Sequence, residues 1–157
     1  MAQDFYDILQ VLDYLHDRID NNKVELGLKY ITYGDELLFP EYPVCVITAE
    51  RPISTRHHAT RQYARTFTCD IWVFHAKLSE RRRIRNREDM KLARRLELFL
   101  NKDRTLDGHI IFGHVTDMQP ITIGRTNGNR ADGVIGTRLV WQGDNRVMWS
   151  IEDELTV

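Results

Sequence analysis

Apolar side chains recur along this chain of 157 residues at two different periods. Over residues 3–20 they fall at Phe5, Ile8, Leu9, Leu12, Leu15 and Ile19, the spacing of one helix face, while Asp7, Asp13 and Asp17 occupy other faces. Acidic residues near its start suit the helix dipole, and Asn21-Asn22 offers a stop. Over residues 61–77 the period drops to two. Phe67, Cys69, Ile71 and Val73 alternate with Thr66, Thr68, Asp70 and Trp72, which predicts a strand. It is much longer than the usual strand of about 5–6 residues. That length predicts one arm of an extended hairpin with residues 43–50. The run Pro43-Val-Cys-Val-Ile-Thr-Ala-Glu is apolar on both faces, as a central strand would be.

Weaker patterns fill the rest. Residues 26–33 alternate in part and stop at Gly34, residues 35–43 read as a loop broken by Pro40 and Pro43, and residues 51–59 read as a polar connection. A second helix is predicted over 79–101, capped by Ser79 with Glu80, with Ile84, Met90, Ala93, Leu96, Phe99 and Leu100 as its apolar side. Strands follow over 109–118 and 119–125, divided by Pro120. Residues 126–133 carry turn chemistry, and strands 134–142 and 146–150 pair across Gly143-Asp144-Asn145. This order predicts an α+β, two-layer domain: a mostly antiparallel or mixed sheet, two helices packed on one face, and an extended hairpin. The domain covers residues 1–150, and an acidic C-terminal tail covers 151–157.

Hydrophobic residues make up 42% of the chain and aromatics 10%, enough for a packed core. The two cysteines, Cys45 and Cys69, sit in strand-like runs and read as buried thiols, with a cross-strand disulfide as the alternative. The first residues show no signal-peptide pattern, and no apolar run approaches the ~20 residues that span a bilayer. The expectation is a protein folded in a cytoplasm, without a membrane partner. A net charge of −1 hides a strong segregation. Residues 1–50 hold ten acidic and three basic side chains, residues 51–95 four acidic and thirteen basic, and residues 96–157 nine acidic and six basic. If these blocks stay apart in space, the molecule has an acidic and a basic side and can bind copies of itself head to tail, closing into a ring. Arginine outnumbers lysine 17 to 5, and its planar fork suits contacts with carboxylates or phosphates.

Candidate chemistry is sparse. Ser54, Ser79 and Ser150 are the only serines, and none lies in a nucleophile elbow. No glycine motif of the phosphate-binding or dinucleotide-binding kind is present; Gly124, Gly128, Gly133 and Gly136 fall in a hairpin region. His57 and His58 are adjacent and point apart in an extended chain, and His109 and His114 face opposite sides of a strand. Asp70 and Lys77 come nearest to a nuclease carboxylate–lysine set, but the spacing is wrong, and a lone strand Asp is expected at the surface. No catalytic residue, metal or cofactor is therefore expected. Arg56, Arg61, Arg65 and the arginines of 81–87, with Tyr63 and Trp72 for stacking, could line a nucleic-acid surface. The overall pI of about 6.6 is low for a dedicated binder. Cations in the first half of a helix oppose its dipole, so Arg81, Arg82, Arg83, Arg85 and Arg87 point to acidic partners, with Asp13 and Asp17 as candidates across a subunit interface.

Five features together carry a resemblance. They are the helix from Phe5 to Ile19, the strand Pro43-Val-Cys-Val-Ile-Thr, the long strand Arg65-Thr-Phe-Thr-Cys-Asp-Ile-Trp-Val-Phe, the helix after Ser79 and the glycine-rich hairpin Gly124 to Gly136. In their order and in chain length they resemble the tail terminator and tail-completion proteins of long-tailed bacteriophages, over about residues 3–150. The likeness is architectural, because that family has no short diagnostic motif. It implies a virion protein: a hexameric ring that caps the tail tube, stops its polymerisation and docks to a neck or head-completion protein. DNA would pass through its channel without specific binding. Arg56, His57, His58, Arg61, Arg125, Asn127, Asn129 and Arg130 are then candidate loop contacts to tube, neck or lumen. A head-completion or connector ring is the alternative within the same particle, and a nucleic-acid-binding or processing protein the alternative outside it.

Overall fold

The computed structural model describes residues 5, 7–34, 39–49, 54–59, 62–77, 87–127 and 130–148, with the side chains of all these except 54, 56–59, 62, 63, 125–127, 130–132 and 146–148. The elements run α1 (Ile8–Asn21), α2 (Lys23–Leu26), β1 (Tyr30–Tyr33), β2 (Val44–Thr48), β3 (Ser54–Ala59), β4 (Gln62–Lys77), α3 (Arg87–Lys102), β5 (Phe112–Asn127) and β6 (Arg130–Met148). Six strands form one sheet in the order β1-β2-β4-β6-β5, with β3 paired to the start of β4. β1 and β2 are parallel, and every other pair is antiparallel. α1 and α3 lie on one side of this sheet, so the fold is α+β, as the pattern predicts.

α1 begins at Ile8 because Asp7 caps it. Its carboxylate accepts from the Leu9 N–H at 3.3 Å, and the Gln10 side chain accepts from the Asp7 N–H at 3.1 Å, a reciprocal capping box. Asp7 thus stands before the first turn, not inside it. Val11, Leu12, Leu15 and Ile19 face the sheet, whereas Leu9, expected inside, is 60% exposed. Gly27, at φ 82°, closes the short α2 with a left-handed residue, so β1 starts only at Tyr30.

β4 alternates as its sequence does. Phe67, Cys69, Ile71 and Val73 join Leu15, Ile19, Leu96, Leu100, Leu139 and Trp141 in the core under the helices. Phe74 joins Val44, Val46, Val134 and Phe39 in a second cluster on the opposite face. There Phe39 and Tyr42, from the connection before β2, pack over the sheet. Both cysteines are free and buried, and loss of water raises the pKa of each thiol, Cys69 to about 12.

Several predicted boundaries give way. The connection 51–59 contains β3, which forms a hairpin with β4. β5 runs unbroken through Pro120, which is tolerated because β5 is an edge strand with one side free of the ladder. β6 runs through Gly143-Asp144-Asn145 without turning: Gly143 pairs with Phe67 on one side and Gly113 on the other. The two glycines make room for the fully buried Trp141 indole, which a β-carbon at either position would overlap. The turn expected over 126–133 shrinks, since Asn127 already pairs with Arg130. His109 precedes β5 and stacks on Phe5 at 4.2 Å between ring centres, so it does not share a strand with His114. In α3, Met90 is 54% exposed, and Asp89, Leu92, Ala93, Leu96 and Leu100 turn inward. The predicted start of this helix at 79 and the tail 151–157 lie outside the described residues.

Candidate functional site

The helical layer has two flanks of opposite charge. α1 packs over β1, β2 and β4, and α3 over β5, so the helices stand toward opposite edges of the sheet. Along their shared side, Arg18 donates to the Phe99 carbonyl at 3.3 Å and lies 3.4 Å from Asp103, which also accepts from the Tyr14 hydroxyl at 2.7 Å. Asp13 and Asp17 sit on the exposed side of α1. Asp13 accepts from the Tyr33 hydroxyl of edge strand β1 at 2.8 Å, and Asp17 lies 3.2 Å from Nδ1 of His16. The His16 ring stacks on Tyr33 at 4.4 Å. Burial and the neighbouring carboxylates of Asp13 and Asp17 push the Tyr33 phenol above its ordinary pKa, so this flank holds its acidic charge beside a neutral hydroxyl.

The other flank is the outward side of α3. Arg87 is exposed at its first turn, and Lys91, Arg94 and Arg95 continue the cationic row. Lys91 and Arg94 make exposed ion pairs within the helix, with Glu88 at 3.4 Å and Glu97 at 2.9 Å; surface pairs of this kind are worth little. Arg95 donates to the Leu26 carbonyl at 3.1 Å. A shallow groove of about 500 Å³ runs between Arg87, Met90, Lys91, Arg94, Arg95 and Leu98. Lys91, Arg94, Met90 and Leu98 do not stand out in the sequence beside the denser arginine run before them. Arg81, Arg82, Arg83 and Arg85 of that run lie outside the described residues.

The candidate loop contacts separate. Arg56, His57 and His58 lie on β3, where Arg56 pairs with Ala64 and His57 with Tyr63. Arg125, Asn127 and Arg130 lie on strand ends at the β5–β6 hairpin, where Arg125 pairs with Asp132. They are therefore strand positions, not loop positions. β4 spans the distance between the two groups, roughly 50 Å for its length at ~3.3 Å per residue. Arg61 and Asn129 lie outside the described residues.

The structure also buries polar groups that the sequence does not single out. His75 Nε2 meets Thr137 Oγ1 at 2.9 Å, and its Nδ1 lies 3.7 Å from Asp89 of α3. The order Asp, His, hydroxyl looks like a nucleophile relay. Thr137 is 0% exposed and His75 3%, so no substrate can reach the hydroxyl, and the set ties α3 to the sheet. Asn145 donates from Nδ2 to the carbonyls of Phe5 at 2.7 Å and His109 at 3.2 Å, which pins both ends of the helical layer to β6. Asp70, expected at the surface, is buried and faces Arg138 at 3.8 Å. Trp72 donates to Thr48 Oγ1 at 3.1 Å, and the Arg138 guanidinium lies over its ring. The Arg138 guanidinium thus occupies one face of the ring a base would need for stacking. Among the described residues, no group of three or more His, Cys, Asp or Glu is placed to hold a metal, and no helix is long and apolar enough to cross a membrane.

Fold and surfaces together define an α+β sheet domain with an acidic flank at one sheet edge and a basic groove toward the other. No family model matches the chain, and no curated protein sequence matches it.

Proposed function

We propose that this chain is a ring subunit of a long-tailed phage particle, a tail terminator that caps the tail tube, stops its polymerisation and joins it to the neck or head. The observation that carries this reading is the placement of charge. The acidic block of the sequence supplies α1 at the β1 edge, and the basic block supplies α3 toward the β5 edge, so the two flanks of one copy are complementary. Complementary patches on different sides of one molecule make a heterologous contact, which closes into a ring when the rotation per copy allows it. The long strands β4, β5 and β6 support the same role, since β5 and β6 run past the Lys77 end of β4 and present a hairpin beyond the helix-covered body. Such a hairpin suits contact with a tube or neck ring. The partners are further copies of the chain, the tail tube protein and a neck or head-completion protein.

Mass measurement of the purified protein, alone and with tube subunits, tests the proposal. A ring of defined copy number, formed alone or on the tube, is expected, and a protein that stays monomeric in both settings refutes it. Electron microscopy of particles lacking the protein separates the terminator from a head-completion ring: overlong or unstable tails mark the first, DNA-leaking heads the second.

A further inference from the structure

The groove on α3 has a counterpart on α1. Met90 and Leu98 are each 54% exposed, stand eight residues apart and bracket Arg94, with Lys91 and Arg87 beside them. On α1, Leu9 is 60% exposed and is followed at four-residue steps by the exposed Asp13 and Asp17. Both rows follow the i, i+4 ridge of a helix and span eight residues, roughly 12 Å at 1.5 Å per residue. Ridges of this kind interlock in the commonest helix packing.

We infer that the outward ridge of α3 receives the Leu9–Asp13–Asp17 ridge of α1 from a second copy of the chain. In either direction Asp13 meets Arg94 at the centre of the ridge. Run antiparallel, Leu9 meets Leu98, and Asp17 reaches Lys91 and Arg87 beside Met90. Run parallel, Leu9 meets Met90, and Asp17 reaches Arg95 and the exposed Lys102 beside Leu98. Within one copy the ridges cannot meet, because α1 and α3 lie side by side through Arg18, Phe99, Tyr14 and Asp103, and both ridges turn outward. Each copy therefore turns one acidic ridge and one basic ridge outward, as a head-to-tail assembly requires, and their ion pairs within the copy are exposed ones of little worth. A phosphate backbone would match the cations but offers nothing to Met90 and Leu98, whereas α1 supplies a carboxylate row and an apolar end together. The contact rests on the ring reading above and names the helices that make it.

The test is sedimentation of the full chain at moderate salt as wild type, Arg94→Glu, Asp13→Lys, and an equimolar mixture of the two variants. Arg94→Glu and Asp13→Lys each place like charges at the contact, and each is expected to weaken association at least about tenfold. In the mixture every contact of an alternating assembly again pairs opposite charges, so assembly returns. That return also shows that both variants are folded. Leu98→Ser, which changes no charge, weakens association in parallel. If the single variants assemble as the wild type does, or if the mixture stays apart, the contact is wrong while the ring reading stands. If the wild type never associates, alone or with tube subunits, the ring reading falls and the contact with it.

Discussion

Gly143→Ala puts the reading of β6 as one continuous strand to a direct test. A β-carbon at Gly143 would overlap Cη2 of the Trp141 indole and lie 2.8 Å from Cζ3 and 3.0 Å from Cδ1 of Ile110. Carbon atoms pack best at about 3.5–4.0 Å, so the ring must shift by roughly an ångström. It cannot shift toward β5, because Gly113, the cross-strand partner of Gly143, leaves just enough room for the same ring. Overpacking a closed core site costs roughly 1–3 kcal/mol, and the reduced freedom of the unfolded chain returns about 0.4–1 kcal/mol. The net expectation is a loss of about 1–2 kcal/mol, or a Tm lower by roughly 2–8 °C for a domain of this size. Urea unfolding followed by tryptophan fluorescence and circular dichroism reads it. Trp141→Phe supplies the cross-check. The Trp141 indole N–H has no hydrogen-bond partner among the described residues, so phenylalanine removes a buried donor as well as ring volume. In the double variant the alanine methyl finds space, and the two losses add to less than their sum. A Gly143→Ala protein as stable as the wild type, or strictly additive losses, would refute the packing argument.

Other outcomes follow from the buried polar groups. Asn145→Ala takes one donor from the carbonyls of Phe5 and His109 and should cost roughly 1–3 kcal/mol, with faster hydrogen exchange in α1 and in residues 104–111; unchanged exchange there would show that the side chain pins neither segment. Thr137→Val keeps the shape but removes the hydroxyl that His75 meets at 2.9 Å, and the same range of loss is expected in urea unfolding, with no loss counting against the tie. Both cysteine thiols are raised by burial, from an ordinary value of 9.0, so their contribution is intact below about pH 9. Above it the unfolded thiols ionise first, and stability falls by about 1.4 kcal/mol per pH unit for each thiol. Cys45→Ala should therefore have a shallower loss between pH 10 and 11 by about that amount, measured as unfolding free energy against pH; an equal slope would show that Cys45 does not titrate this way.

The pattern of the chain carries the central strands and most of the inner face of each helix, with Leu9 and Met90 the positions it misplaces. β2 is legible because Val44, Cys45, Val46 and Ile47 are apolar without a break, and a strand buried on both faces needs that. β4 is legible because apolar inward residues alternate with Thr66, Thr68 and Asp70 up to Ile71, before Trp72 packs on the other face. The charge blocks are also readable by counting, and they foreshadow the acidic and basic flanks, although not which residues of α3 form the groove. Met90 and Leu98 look like core residues in a list of apolar positions, and only the roll of α3 against Leu96 and Leu100 turns them outward.

Glycine, proline and asparagine are where local reading fails, because their meaning depends on residues far away in sequence. Pro120 reads as a break, yet β5 is an edge strand, and a residue without an N–H fits on its free side. Gly143-Asp144-Asn145 reads as a turn, yet the glycine is there for the Trp141 ring, and the asparagine for two carbonyls that β6 meets only after the chain has folded. By itself, then, the sequence determined the sheet core, the existence of the helices and the separation of charge, all of which follow from periodicity and counting. The lengths of β5 and β6, the burial of Asp70 and the place of each charged ridge were decided by the tertiary structure, since each depends on which strand or helix lies alongside.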